Sequence, residues 1–438
     1  MKRIITPLLF LLLSLTLSAQ WVQLNIPSVD YIALATGSNG AGGTNIFAAT
    51  GAVGVRLSTD MGTTWTSVNG GDGVLNNTVI NALGIVPKGS GIPTVLVGNG
   101  GLGVFRSTNN GTDWTSVGIG NHEVISFAVS PDGTQLFAGT RSDGIYHSTN
   151  DGVTWTKIGL SSKAVYAITV TSNGSGGINV FAGTWYTGLF LLTNSGGLWT
   201  ETNLGFTDDF VYMLHNAPNG AGGSNIFLGT SGGPNLGLYV SANNGTNWTP
   251  ILTGINSGVN SLVVTALYYF AATSEGVFVS KNGGITWNPA NEGLTNFNVS
   301  SLVIAGTDLF AATVGEVGPT SVWKRPLSEL TSVRRVSAET PPAFNLHQNY
   351  PNPFNPTTQI VYELPAESWV RLELYDITGR KVSTLIDGHA ASGSYAYMLD
   401  MQSINNGLPA GTYMYKLTIL DISTNTASSF AKKMIFLK

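Results

Sequence analysis

"STNDGVTW", residues 148–155, contains almost nothing reactive, yet close variants of it recur along the chain. STDMGTTW begins at Ser58, STNNGTDW at Ser107, SANNGTNW at Ser241 and SKNGGITW at Ser280, and a worn copy, LTNSGGLW, begins at Leu192. The closing residues Trp65, Trp114, Trp155, Trp199, Trp248 and Trp287 fall 39 to 49 positions apart. A variable spacing of about 40–45 residues is the period of a four-stranded propeller blade.

Each unit also carries an earlier apolar phrase: NIFAAT at 45, VLVGN at 95, LFAGT at 136, VFAGT at 180, IFLGT at 226 and YFAAT at 269. A seventh, LFAAT, starts at Leu309. One apolar strand precedes each phrase, as in VINALGIV from Val79, and another runs into the octapeptide, as in GVFRSTNN. With the Trp strand, that makes four strands per unit and seven units. The seventh has VSSLVIAG, DLFAAT and SVWKRPL but no octapeptide and no closing Trp strand. WVQLN at Trp21 has the look of the missing piece, so residues 21–25 are expected to complete the last sheet and close the ring. Closure removes the free edges that invite aggregation.

The third position of the octapeptide is Asp60, Asn109, Asn150, Asn194, Asn243 or Asn282. Both residue types accept backbone N–H bonds, here expected from two residues on, in an Asx turn. The following Gly permits positive φ, and the Trp is expected to bury its ring between blades. A metal site or a catalytic acid would need the carboxylate, and five of six copies have replaced it with neutral Asn. The six turns are therefore expected to be structural. These residues resemble the Asp-box (BNR) repeat, Ser-x-Asp-x-Gly-x-Thr-Trp, over roughly residues 21–327. Asp-box propellers include sialidases, xyloglucanase-like glycoside hydrolases and non-enzymatic propellers, so the resemblance implies a fold more than a chemistry.

Composition agrees. The chain has 438 residues, 42% hydrophobic and 10% charged, with 55 glycines, against about 25% charged in ordinary soluble domains. A net charge of −4 with no basic stripe argues against a nucleic-acid partner. There is no cysteine, so no disulfide or thiol chemistry is expected. Residues 1–19 read as a secretory signal peptide, with Lys2 and Arg3 leading an apolar run from Ile4 to Leu17 and a small-residue site at Leu17-Ser18-Ala19. No later stretch approaches the ~20 apolar residues of a bilayer span.

After Leu327 the text changes. SELTSVRRVSAETPPA reads as a linker over 328–343, and NLHQNYPNPFNPTTQIVYELP, just after Phe344, opens a series of alternating strands. VRLELYD, KVSTLI, YAYMLD, TYMYKLTIL and KKMIFL describe a small β-sandwich of immunoglobulin-like size over 344–438. NYPNPFNPTT, LYDITGRKV, LPAGTYMYKL and KKMIFLK look like the type A C-terminal sorting domain of the type IX (Por) secretion system. That resemblance implies passage through the periplasm and across the outer membrane by the type IX machinery, to the cell surface or beyond.

In propellers, ligands meet the face opposite the octapeptide turns. Its loops hold His122, Glu123, Arg141, Asp143, Lys163, Trp185, Tyr186, Asp208, Asp209, Glu275 and Glu316. Sialidases clamp a carboxylate with three arginines; Arg56 and Arg106 lie away from these loops, and the Phe/Tyr-Arg-Ile-Pro motif is absent. A glycosidase would need two carboxylates, which Asp208, Asp209, Glu275 and Glu316 could supply. GNGGLG at Gly98 runs into a strand instead of a helix and holds no dinucleotide, and the five histidines lack metal-ligand spacing. Trp185 and Tyr186 place adjacent aromatics where other units have small or polar residues, suited to a sugar ring or a protein contact.

The expectation is an all-β protein: a seven-bladed β-propeller over 20–327 and an immunoglobulin-like β-sandwich. It acts as an exported, monomeric binding module without cofactor or metal. Its binding residues are Trp185, Tyr186, Asp208, Asp209, Glu275 and Glu316. The alternatives are a polysaccharide-cleaving hydrolase on the same face and an assembly factor of the photosystem-associated type.

Overall fold

A computed structural model describes residues 20–27, 30–193, 199–201, 206, 210–219, 223–231, 236–251, 254–265, 268–281, 283–315, 320–330, 333–337, 340–401, 404, 408–421 and 426–437. Five of the residues singled out above, Asn194, Asp208, Asp209, Asn282 and Glu316, lie outside these residues. Among the described residues the strands form nine four-stranded antiparallel sheets, with one helical turn at Leu327–Leu330.

Seven of the sheets come from the repeat. Sheet one runs Tyr31–Ser38, Thr44–Thr50, Val55–Ser58, Thr66–Ser67. Sheets two to six repeat that order, with first strands at Ile80–Val86, Val124–Val129, Val165–Ser172, Phe210–Pro218 and Val259–Val264. Sheet seven takes Val299–Ala305, Asp308–Thr313 and Val322–Pro326 from the end of the repeat and Val22–Gln23 from its beginning. Val22 pairs with Lys324 and Gln23 with Trp323, as WVQLN predicts. Trp21 is 2% exposed, and its indole Nε1 donates to Ala290 O at 2.7 Å.

The first strands meet side by side in a closed circuit, each touching the first strand of the next sheet and sheet seven touching sheet one. Every one of them slips register near its start, at Tyr31/Ala33, Ile80/Ala82, Val124/Ser126, Val165/Ala167, Val211/Met213, Val259/Ser261 and Val299/Ser301. Such a bulge bends a strand and re-aims the extra side chain. Asn81, Ile125, Tyr166, Tyr212 and Asn260 are bulge residues, and all line an axial cavity of about 310 Å³. His215 lines it too, and enclosure there pushes its pKa down to about 4, so the imidazole is neutral.

The second strands carry the core. Phe47, Phe137, Phe181, Phe227, Phe270 and Phe310 are all at most 1% exposed. The Gly of the phrase serves close approach instead of torsion. A Cβ on Gly98, Gly139 or Gly183 would stand 2.5 Å from the carbonyl oxygen of Val124, Val165 or Val211, in each case on the next sheet.

In the described octapeptide turns the expected i+2 bond is corrected. Asp60 Oδ1 accepts the Thr64 N–H at 2.9 Å, four residues on, and Asn109 and Asn150 do the same for Asp113 and Thr154. The buried Ser takes the inner bond: Ser58, Ser107, Ser148, Ser241 and Ser280 accept the N–H of Gly62, Gly111, Gly152, Gly245 and Gly284 at 2.8–3.1 Å. Two consecutive residues adopt positive φ, as at Asn110 (57°) and Gly111 (84°) or Asn244 (54°) and Gly245 (78°). Three of the tryptophans tie sheet to sheet, Trp114, Trp199 and Trp287 donating to Val68 O, Ile158 O and Ile251 O on the sheet before, whereas Trp65 and Trp155 donate within their own turns to Gly62 O and Gly152 O. Ser148→Ala strands the buried Gly152 N–H, so it should lower the urea unfolding free energy by about 1–3 kcal/mol.

The tail forms two sheets, ordered Val333–Ser337, Gly393–Asp400, Thr357–Leu364, Asn345–Leu346 and Lys381–Ala390, Ser368–Asp376, Gly411–Asp421, Thr426–Phe436. The span read as a linker is therefore partly structured, because Val333–Ser337 finds an open edge beside Gly393–Asp400. NYPNPFNP is sewn to the last strand: Phe354 N donates to Ile435 O, Ile435 N to Asn352 Oδ1, and Phe354 lies against Phe436 at 5.4 Å. Asn349, 2% exposed, gives its N–H to Tyr415 Oη at 2.7 Å and its amide to Thr358 Oγ1 at 2.9 Å. The two halves of the resemblance thus form one physical unit.

Candidate functional site

The loops after the second strands and those between sheets lie on the face opposite the octapeptide turns. On sheet four that loop joins Ile178–Thr184 to Leu189–Thr193. Thr184 N donates to Gly188 O at 3.0 Å and Trp185 N to Ala164 O at 3.1 Å, so the loop is anchored at both ends. Between these anchors Tyr186 sits at φ 56°, a region that bulky residues enter only when their surroundings demand it. Trp185 is 40% and Tyr186 56% exposed, their rings meeting edge to face at 65°. Phe210 from sheet five backs both, 4.4 Å from Trp185 and 4.2 Å from Tyr186.

A polar line runs from this corner along the channel mouth. The Tyr166 ring lies 5.1 Å from Trp185, and its Oη receives Arg141 Nη1 at 2.8 Å. Arg141 Nε bonds Glu123 Oε2 at 2.7 Å, and Glu123 Oε1 takes Asn81 Nδ2 at 2.9 Å. On the other side of the corner Tyr212 Oη bonds Asn260 Oδ1 at 2.7 Å, and Asn260 Nδ2 donates to Val299 O at 2.7 Å. Asp143 is held by Lys157 Nζ at 2.5 Å and Tyr146 Oη at 2.5 Å, with His122 Nε2 at 3.3 Å. The Lys157 bond, then the Tyr146 bond, lowers its carboxyl below the usual range. Burial, and then Asp143, pushes the Tyr146 phenol up to about 12.

Sequence reading placed Trp185, Tyr186, Arg141, Glu123, His122 and Asp143 on this face. It missed Asn81, Tyr166, Phe210, Tyr212 and Asn260, which sit in or at the start of strands. Their signal was a polar or aromatic residue near the start of a first strand, second in the strand for Asn81, Tyr166 and Asn260 and third for Tyr212. Glu275 sits in the matching turn of sheet six, its N–H donating to Thr273 Oγ1 at 3.0 Å. Among the described residues it is joined to the aromatic corner by no hydrogen bond or ring contact. Arg106 is occupied elsewhere, bonding Asp151 Oδ2 at 2.5 Å and Asp151 O at 2.7 Å across two sheets. Among the described residues no group of His, Asp or Glu is placed to hold a metal, and no helix is long and apolar enough to cross a membrane.

Two solved structures share the architecture. The extracellular domain of a hybrid two component system from B. thetaiotaomicron aligns with a TM-score of 0.57 at 12% identity, over 94% of this chain and 53% of its own. This chain thus spans about half the length of that protein. The GH74 xyloglucanase from Xanthomonas campestris aligns with a TM-score of 0.52 at 14% identity, over 94% and 81%. At such identities the likeness is one of fold, all-β and propeller-like. No curated protein matches the chain. The secretion system C-terminal sorting domain family matches residues 348–435, where NYPNPFNP is sewn to KKMIFL. Residues 348–435 are thus a sorting domain of the Por, type IX, secretion system, and the chain that carries it is a protein of the cell surface or the extracellular space.

Proposed function

We propose that the chain is an exported binding protein. A seven-bladed Asp-box propeller over 20–327 presents a recognition face, and an immunoglobulin-like sandwich over 344–438 addresses it to the type IX machinery. A leader over 1–19 precedes them. The observation that supports this reading best is the exposed Trp185–Tyr186 corner, held on a positive-φ backbone beside hydrogen-bonded charges. Polar residues in the line are already satisfied by one another, which suits a rigid surface that binds without remodelling. The seven closed sheets supply the rigidity.

A hydrolase on the same face remains the second reading, favoured by the fold likeness to a xyloglucanase and by the carboxylates of the rim. It requires a carboxylate pair spanning a glycosidic bond. Reducing-end release from polysaccharides incubated with the protein separates the readings: turnover sinks the binding module.

The address is tested by deleting residues 344–438 in a type IX-competent host. The propeller should then collect in the periplasm, at least ten-fold depleted from the cell surface and medium relative to the intact chain. Equal surface levels would remove the sorting role.

A further inference from the structure

The ligand class can be taken further, resting on the reading of this face as the recognition surface. We propose that the Trp185–Tyr186 corner seats one hexose unit of a neutral polysaccharide. Two exposed rings at 65° to one another offer a face and an edge, and together they match the C–H side of a pyranose. Phe210 closes the corner from behind. The hydroxyl side of a seated sugar has hydrogen-bonding groups one ring away, at Tyr166 Oη and the Arg141 guanidinium.

Charge decides between neutral and acidic ligands. A uronate or sulfated chain needs a cation free to pair with it. Here Arg141 is paired with Glu123 at 2.7 Å, and Lys157 with Asp143 at 2.5 Å. The two cations nearest the corner are therefore already matched by carboxylates, and Lys163 on the same face lies over the Phe190 ring at 4.9 Å. A protein partner would be expected to meet a broad, continuous apolar centre, whereas the other exposed apolar side chains of these loops, Val79, Leu102 and Phe297, belong to other sheets than the Trp185–Tyr186 loop.

Tyr186 provides the decisive variant. Tyr186→Gly removes the ring where φ is 56°, a conformation glycine adopts without strain, so the fold should hold or gain in thermal midpoint while binding falls. The test is affinity electrophoresis of the full chain in gels containing hydroxyethyl cellulose, laminarin or galactomannan, with alginate as the acidic probe. At least one neutral polymer should retard the wild type. Trp185→Ala and Tyr186→Gly should each weaken that retardation at least ten-fold, with Tm unchanged or raised for Tyr186→Gly. Alginate should have no effect. Retardation by alginate alone, lost in Trp185→Ala, would keep the recognition face and overturn the neutral ligand. Retardation by a neutral polymer that both variants retain would overturn the corner as the site. No retardation by any polymer overturns the proposal, and binding of a protein partner that depends on Trp185 would then show the face to be a protein interface.

Discussion

Trp21→Ala is expected to open the ring. The indole is 2% exposed, donates to Ala290 O at 2.7 Å, and precedes the two residues that complete sheet seven. Truncating a buried Trp costs about 3–5 kcal/mol, and here the loss is concentrated on the pairing of Val22 with Lys324 and Gln23 with Trp323. Once that pairing frays, Val322–Pro326 becomes an unpaired edge, the kind that recruits another chain. Urea unfolding should show a drop of about 3–5 kcal/mol, and light scattering should show self-association that the wild type lacks. Trp21→Phe, which keeps the ring buried and forfeits the N–H donor, should fall by about 1 kcal/mol, the net worth of one hydrogen bond. If the Ala variant unfolds at the wild-type midpoint and stays unaggregated, the closure is not what holds the sheets together.

Phe181→Ala should be of similar size, for a different reason. Phe181 is fully buried in the second strand of sheet four and shares a cluster with Leu189, Phe206, Val211, Ile226 and Leu228. The turn glycine of the next sheet leans on it, for a Cβ on Gly245 would lie 2.6 Å from Phe181 Cε1. Removing the ring therefore leaves a cavity and unseats the turn of sheet five, with an expected cost of about 3–5 kcal/mol in equilibrium denaturation. Phe181→Leu should lose less than about 1.5 kcal/mol. Equal losses for the two would mean that the site collapses freely and the inter-sheet contact carries no weight.

Much of the fold was legible because the repeat writes each strand separately. The FAGT-type phrase marked the second strand, the octapeptide marked the third strand and its turn, and WVQLN marked the strand that sheet seven lacks. Hydrogen-bond roles within the turn were not legible. Ser and Asx can both accept, and only the backbone path decides that Ser58 takes Gly62 while Asp60 takes Thr64. The candidate site was legible in its exposed loop residues, Trp185 and Tyr186. It was hidden in Asn81, Tyr166, Tyr212 and Asn260, because a bulge shifts a side chain off the strand alternation that sequence reading relies on. Arg141 and Glu123 were read as separate loop charges, since their pairing brings together residues from different loops. The edge strand Val333–Ser337 was missed because its SVRRVS stretch has the polarity of a spacer and acquires its partner only from Gly393–Asp400.

The strand shared between the two ends of the repeat also sets an order of events. Leu24 and Ser321 meet across 297 positions of chain, so the earliest residues of the repeat to be made must wait for nearly the last. Loop closure of that length is entropically slow to find. The clasp is thus a late step, fastened after the intervening sheets have formed. A chain halted at any earlier point carries an unfinished circle, with Val322–Pro326 left as a bare edge.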